Sequence, residues 1–405
     1  MFYRNPDRPI TMHLGVFVGS NFDVYNDNSY ATLDQAIKMF EEKHPNVTIK
    51  YESGIVKKDY SNWLSQKILE GEELDAFMVL DSDFNTLASI GTLENLNKRM
   101  YEDLTNSFYK PILEKATYEG KLYALPYEVS PMMMCVNKDL LEKNGIEMPK
   151  DDWTVDDFYR ICEKVTKDTD GDGDIDQYGC YNFDWKQILA CYGLSIFSKD
   201  GSQCTIDDHV KEALQMAQRI NTLNNHTDYS GEDFDSGIVA FCPMSIAEYR
   251  TYQPYPYRIS KYTNFSWSCL TMPGTQENDD STMAVSSMMA VHSRSSNKDL
   301  AFEFVKMLAS DQSLQESALV NNKGLSVQKS IINSDFAKTV FENEALEINP
   351  KQIDNVLTHL TVEPRFKKYN EASNYADYLI SQAFESNSIE SELATIKESL
   401  ESRLK

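Results

Sequence analysis

The sequence predicts an α/β protein organised around parallel sheet. Strand-like and helix-like stretches alternate through its first third, one continuous apolar run suits a strand buried on both faces, and amphipathic helical segments continue to the C-terminus. Ile10, Met12, Leu14, Val16 and Val18 alternate as a strand does, and a loop over 19–28 follows them. Leu33, Ala36, Ile37 and Phe40 fall on one face of a helix starting near Ser29. Val47-Thr-Ile-Lys-Tyr51 is a second strand, 60–70 a second helix, and Ala76-Phe-Met-Val-Leu80 the buried run. Strand, helix, strand, helix, strand implies right-handed crossovers and a parallel sheet. Ligands bind beyond the carboxyl ends of such strands, so loops 19–28 and 81–86 are expected on the functional edge.

Later elements follow the same logic. Residues 121–137 are extended, with Pro126 and Pro131 interrupting a long apolar segment, as suits a crossing between lobes. A short helix is expected near 138–144. A longer one opens with Thr154-Val-Asp-Asp157, a capping-box-like start, and carries Val155, Phe158, Ile161, Cys162 and Val165 on its apolar face. The segment 249–268 is rich in Tyr and Pro and has no clean period. Strand character returns at 284–292. Leu300, Phe304, Met307 and Leu308 mark a helix over 298–310, and Ile389, Leu393, Ile396, Leu400 and Leu404 mark the last one.

A chain of 405 residues exceeds one ordinary core and suggests two or three domains. Its 63 acidic residues against 39 basic ones give a formal charge of -24, and no Lys/Arg stripe offsets that field locally. Nucleic acid is thereby excluded as a partner. No run approaches the ~18–20 apolar residues of a membrane helix. The opening Met1-Phe-Tyr-Arg-Asn-Pro is neither a signal nor a transit peptide, so the protein is either cytosolic or written here without its export segment. Seven cysteines, none in a C-x-x-C pair, read as buried small apolar side chains. Catalytic motifs are missing: no G-x-S-x-G, P-loop, dinucleotide fingerprint or H-E-x-x-H. A glycosidase carboxylate pair, which is assembled in space, stays open.

Two features bear on ligands. Asp168, Asp170, Asp172, Asp174 and Asp176, with Gly173 between them, match the spacing by which a tight loop converges hard oxygens on a structural Ca²⁺. Position 12 of that pattern is Gly179, so the usual bidentate Glu is missing; the competing reading is a solvated acidic turn. Aromatic residues outside the periodic faces, Phe22, Phe84, Trp185 and the cluster Tyr249 to Tyr257 among them, suit the C–H faces of a sugar, whose hydroxyls need Asp, Glu, Asn and Arg.

An ordered series of segments then spans nearly the whole chain. It runs through Phe40-Glu-Glu-Lys-His-Pro-Asn-Val-Thr-Ile, Leu74-Asp-Ala-Phe-Met-Val, Leu87-Ala-Ser-Ile-Gly-Thr-Leu and Tyr118-Glu-Gly-Lys-Leu-Tyr-Ala-Leu-Pro-Tyr. It continues with Val136-Asn-Lys-Asp-Leu-Leu, Asp152-Trp-Thr-Val-Asp-Asp-Phe, Asn297-Lys-Asp-Leu-Ala-Phe-Glu-Phe and Gly324-Leu-Ser-Val-Gln-Lys-Ser. The series resembles the carbohydrate-type, maltose-binding-protein-like extracellular solute-binding proteins of bacterial ABC importers.

The resemblance implies a two-lobed periplasmic-binding-protein-like fold of type II, each lobe a mixed or parallel sheet flanked by helices, with a hinge between. It assigns 1–128 plus 285–326 to the N-terminal lobe and 129–284 plus 327–405 to the C-terminal lobe, with crossings near 127–131, 282–286 and 325–330. A monomer without catalytic cofactor would close on a sugar or oligosaccharide and deliver it to the transmembrane subunits of an ABC permease. A lipoprotein at the surface of a Gram-positive bacterium is the implied location. Carried over by position, the ligand residues would be Asn21, Phe22 and Asp23; Ser82, Asp83 and Phe84; Tyr127 and Glu128; Trp185; Tyr249, Arg250 and Tyr252; Ser286 and Ser287; and, more weakly, Glu363 and Arg365. Tyr249 to Tyr252 stand where the family has a Gly/Ser-Trp segment, and Ser286 and Ser287 replace a Gly-rich return strand. The alternatives are a glycan hydrolase, or the same fold serving a peptide or a signalling ligand.

Overall fold

A computed structural model describes residues 8–26, 28, 30–72, 74–150, 152–223, 234–251, 265–275, 281–344 and 346–404. The strands are β1 (Ile10–Gly15), β2 (Val47–Tyr51), β3 (Ala76–Val79), β4 (Thr117–Tyr118), β5 (Lys121–Leu122), β6 (Leu125–Asn137), β7 (Tyr178–Cys180), β8 (Val239–Ser245), β9 (Trp267–Leu270) and β10 (Ala284–Val291). The chain divides into two compact units, Met1–Ser130 with Val285–Val340 and Pro131–Ala284 with Phe341–Lys405. It changes unit inside β6, at the start of β10 and at Val340/Phe341; the last of these lies beyond the crossing expected at 325–330.

In the first unit β1 pairs in parallel with β2 and β3, and β10 runs antiparallel to β3. Helix α1 (Ala31–Lys43) buries Leu33, Ala36 and Phe40, one face at helical spacing. Phe40 meets Phe304 of the helix Lys298–Ser310 edge to face at 5.5 Å. Helix α2 (Lys57–Glu70) buries Tyr60 and Leu64 against the sheet and ends on Gly71 in the left-handed region. The strand expected over 10–18 stops at Gly15, and Val18 joins Val56 only through an isolated bridge.

The loop expected at 81–86 is instead the opening of helix α3 (Asp81–Ser89). Leu80 holds an extended conformation ahead of it, and Asp81 and Asp83 place negative charge on the first turn, where the helix dipole favours it. Helices α4 (Glu102–Ser107) and α5 (Lys110–Lys115) lead into the β4–β5 hairpin, whose turn residues Glu119 and Gly120 take positive φ.

In the second unit β6 lies between β8 and β9, antiparallel to both, and β7 pairs in parallel with β8. Helix α6 (Lys138–Lys143) is capped by the Asn137 side chain. Helix α7 (Val155–Val165) opens on the expected capping box: Asp157 N–H donates to the Thr154 hydroxyl, and Thr154 N–H to the Asp157 carboxylate. Its buried residues Val155, Phe158, Cys162 and Val165 join Trp153, Phe241, Ile188 and residues of the helices Tyr369–Glu385 and Ile389–Leu404 in one core. Helices α8 (Trp185–Cys191) and α9 (Asp208–Leu223) complete that layer.

All seven cysteines are buried free thiols, as their isolated spacing predicted. Cys135 stands in register with Cys242 on one side and Cys269 on the other, and burial pushes its thiol well up. Among the described residues no helix is long and apolar enough to cross a membrane.

Candidate functional site

The carboxyl ends of β1 and β3, and the start of the antiparallel β10, lie at one edge of the first unit's sheet. Tyr60 ties that edge together: its hydroxyl is 3.0 Å from the Gly15 carbonyl and 2.8 Å from that of Met78, and burial pushes the phenol far up. Asn21 lies beyond β1, and its side-chain amide donates to the Ser286 carbonyl at 3.2 Å. Ser286 N–H donates to Asp81 at 3.4 Å. Lys57 donates to the Asn21 carbonyl at 2.6 Å and to Asp23 at 2.7 Å, holding the loop against α2 while Asp23 sits at φ 57°. The Ser61 hydroxyl donates to Asp83 at 2.6 Å; burial nevertheless raises the Asp83 carboxyl above its ordinary value.

Tyr127 and Glu128 lie beside this set. The Tyr127 hydroxyl faces Ser287, and burial with the Glu128 charge close by pushes the phenol well up. Gln315 donates to the Tyr127 carbonyl at 3.0 Å and fixes the strand. A side chain on Gly324 would put its Cβ 2.4 Å from the Phe22 ring and 3.3 Å from Glu128 Oε1, so only glycine lets Phe22 pack there. Behind these residues is a small cavity of about 30 Å³, lined by Asn21, Asn26, Tyr127, Glu128, Ser287 and Asn322 among others. That volume holds a water or two and no sugar. The Ser286 hydroxyl is buried and has no hydrogen-bond partner among the described residues.

The structure therefore brings Asn21, Phe22, Asp23, Tyr127, Glu128, Ser286 and Ser287 into one neighbourhood, with Ser82 and Asp83 on the adjoining first turn of α3. Phe84 does not join as an open ring: it is fully buried and serves the core.

The residues expected in the second unit are placed differently. Trp185 is the first residue of α8 rather than part of a loop, and its indole N–H donates to Asp377 at 3.0 Å. Asp184 caps that helix through Gln187 N–H, and burial raises its carboxyl above the usual range. Tyr249 is buried edge to face on Trp267 at 5.0 Å. Arg250 is corrected from ligand contact to internal pairing: its side chain is wholly buried and donates two bonds, 2.7 and 3.0 Å, to Glu344. Tyr252 lies outside the described residues. Arg365 is buried, and its backbone N–H donates to the Lys199 carbonyl at 3.2 Å. Glu363 lines, with Trp185, Leu194, Phe197 and Tyr369, a pocket of about 230 Å³, under the ~300–1,000 Å³ of ordinary ligand pockets.

In the acidic loop, Asp168, Asp170 and Asp176 bring one carboxylate oxygen each within 4.8 Å of one another. Asp172 and Asp174 fall outside that group. Asp168 accepts N–H bonds from Gly171 at 2.6 Å and Gly173 at 2.8 Å, which lower its pKa below the ordinary carboxylate value. Three converging hard oxygens fit Ca²⁺ in donor type.

Sequence reasoning missed Lys57, Ser61, Asp81, Lys115 and Gly324. Asp81 was legible, since it directly follows the apolar run 76–80. Lys57 and Lys115 had no distinguishing signal, because lysine is a surface residue by default.

The comparisons with known proteins agree with this architecture. The family model described as bacterial extracellular solute-binding protein matches residues 35–341. The diacetylchitobiose binding protein of Streptomyces coelicolor is 25% identical over 285 residues, 67% of this chain and 64% of that one. The maltotriose-binding protein of Pyrococcus abyssi is 23% identical over 376 residues, covering 81% and 75%. The structure of the cyclic alpha-maltosyl-1,6-maltose binding protein of Arthrobacter globiformis superposes with a TM-score of 0.79 at 15% identity, over 98% of this chain and 99% of the other. With a family model covering most of its length and the expected α/β fold in place, the chain belongs to the bacterial extracellular solute-binding protein family.

Proposed function

We propose that this protein captures a sugar or oligosaccharide and presents it to the transmembrane subunits of an ABC permease, acting as a monomer and doing no chemistry on what it binds. The observation that carries the reading is the polar set at the sheet edge of the first unit. Asn21, Asp81, Asp83, Tyr127, Glu128, Ser286 and Ser287 offer amide, hydroxyl and carboxylate groups, the donors and acceptors that a neutral polyhydroxyl ligand needs. The oligosaccharides in the names of the relatives support the same substrate class. A lipid anchor at the surface of a Gram-positive cell belongs to the proposal as the family's habit.

Titration calorimetry against a panel of mono- and oligosaccharides tests it. Saturable binding with the sugar recovered unchanged is expected. Consumption of the sugar over hours would favour the hydrolase reading, and saturable binding of peptides alone would favour the peptide reading. As a second element, Asp168, Asp170 and Asp176 would hold a Ca²⁺ that braces the loop entering β7, without a part in ligand capture.

A further inference from the structure

Among the described residues, Lys115 is the one lysine in the group of largest fully buried side chains; its side chain is 1% exposed. An ammonium group in that position loses its hydration, and it persists as a charge only beside a compensating anion. Its ammonium nitrogen is 3.9 Å from Asp81 Oδ2. That same oxygen receives the Ser286 N–H, and the Ser286 carbonyl receives the Asn21 amide. A chain of contacts thus runs from the C-terminal residue of α5, through the first residue of α3, to the start of β10 and the loop after β1. The Asp81 side chain is 29% exposed, so the link passes from fully buried charge to partly open surface.

We propose that Lys115 is a positioning residue for the binding edge: its buried ammonium group holds the Asp81 carboxylate in one rotamer, and Asp81 in turn fixes the Ser286 backbone and the Asn21 amide. The functional half rests on the sugar-binding reading; the positioning half does not. With Nδ2 committed to Ser286, Asn21 keeps its carbonyl oxygen as an acceptor for a ligand hydroxyl. The low dielectric around Lys115 makes the carboxylate sensitive to the loss of that one charge.

The test uses the full chain in four forms: wild type, Lys115→Met, Asp81→Asn and the double variant. Each single change removes one charge of the pair and lowers the melting temperature. The double change removes both charges and restores most of it. A purely structural ion pair predicts that the double variant also regains wild-type hydrogen exchange. Positioning predicts that it does not. Hydrogen exchange of the peptides spanning 18–24 and 283–290 stays faster than wild type, while peptides from α7 are unchanged. In Lys115→Met, which leaves Asp81 in place, affinity for maltotriose, maltotetraose or diacetylchitobiose, whichever titrates the wild type, falls at least about tenfold; full recovery of exchange in the double variant, or wild-type affinity in Lys115→Met, overturns the proposal. If no sugar titrates the wild type, the capture reading fails, and the exchange measurement still decides the positioning of Ser286 and Asn21.

Discussion

The binding edge of the first unit and the aromatic positions of the second make an instructive pair. At the first, residues expected to meet ligand lie next to one another. Asn21 touches Ser286, Tyr127 faces Ser287, and Phe22 and Glu128 both lie against Gly324. In the second, equally plausible residues are engaged internally: Arg250 by Glu344, Trp185 by Asp377, Tyr249 by Trp267. Residues placed by strand ends converge because the sheet brings strand ends together. Residues on short helices are claimed by whatever lies across the helix, and sequence carries no record of that neighbour.

The contrast breaks most sharply at Arg250. Replacing it with Met should leave Glu344 half of a buried pair and destabilise the protein by about 3–5 kcal/mol, with ligand affinity of the still-folded protein unchanged. Weakened affinity at an unchanged melting temperature would falsify the internal role. At the first unit's edge the pattern reverses. Asn21→Ala should weaken sugar binding by about 1–3 kcal/mol in calorimetry while shifting the denaturant midpoint little.

Trp185→Phe keeps a ring and loses the bond to Asp377, so about 1 kcal/mol of stability should go and affinity should remain. A large loss of affinity at constant stability would move Trp185 back to the ligand. Chelation with EDTA tests the acidic loop. Bound calcium should make the melting temperature fall by about 2–4 °C for each kcal/mol it contributes, and an identical melt would leave the loop an acidic turn.

The smallest effect concerns Asp83. Burial raises its folded-state pKa above the unfolded value, so the folded state binds the proton more tightly. Its contribution is fully present below the unfolded pKa and is lost as pH rises through the raised one. Asp83→Asn should therefore be slightly more stable than wild type at pH 7 and flatten the pH dependence of the melt across that window. A less stable variant at pH 7 would show that the ionised carboxylate does more than accept from Ser61.

Much of this was legible in the chain. Leu33, Ala36 and Phe40 predicted the buried face of α1, and Thr154 with Asp157 predicted the start of α7, because both are local patterns with a fixed geometric period. The first turn of α3 was not read correctly, since Asp-Ser-Asp suits a loop as well as a helix start, and the choice depended on the extended Leu80 before it. Gly324 stood in the sequence as a segment marker. Its reason, the ring of Phe22, comes from about 300 residues earlier and needed the fold to bring it there.

By itself the sequence determined the alternation of strands and helices, the strongly acidic charge balance, the isolation of its thiols and the identity of the strand ends that carry polar residues. These follow from periodicity, charge and spacing, which are properties of neighbours along the chain. Tertiary structure alone decided that Arg250 is paired, that Phe84 belongs to the core, that three of the five loop aspartates converge, and that the buried Lys115 meets Asp81. Each of those depends on a partner distant in sequence, and burial and pairing energies are set by that partner.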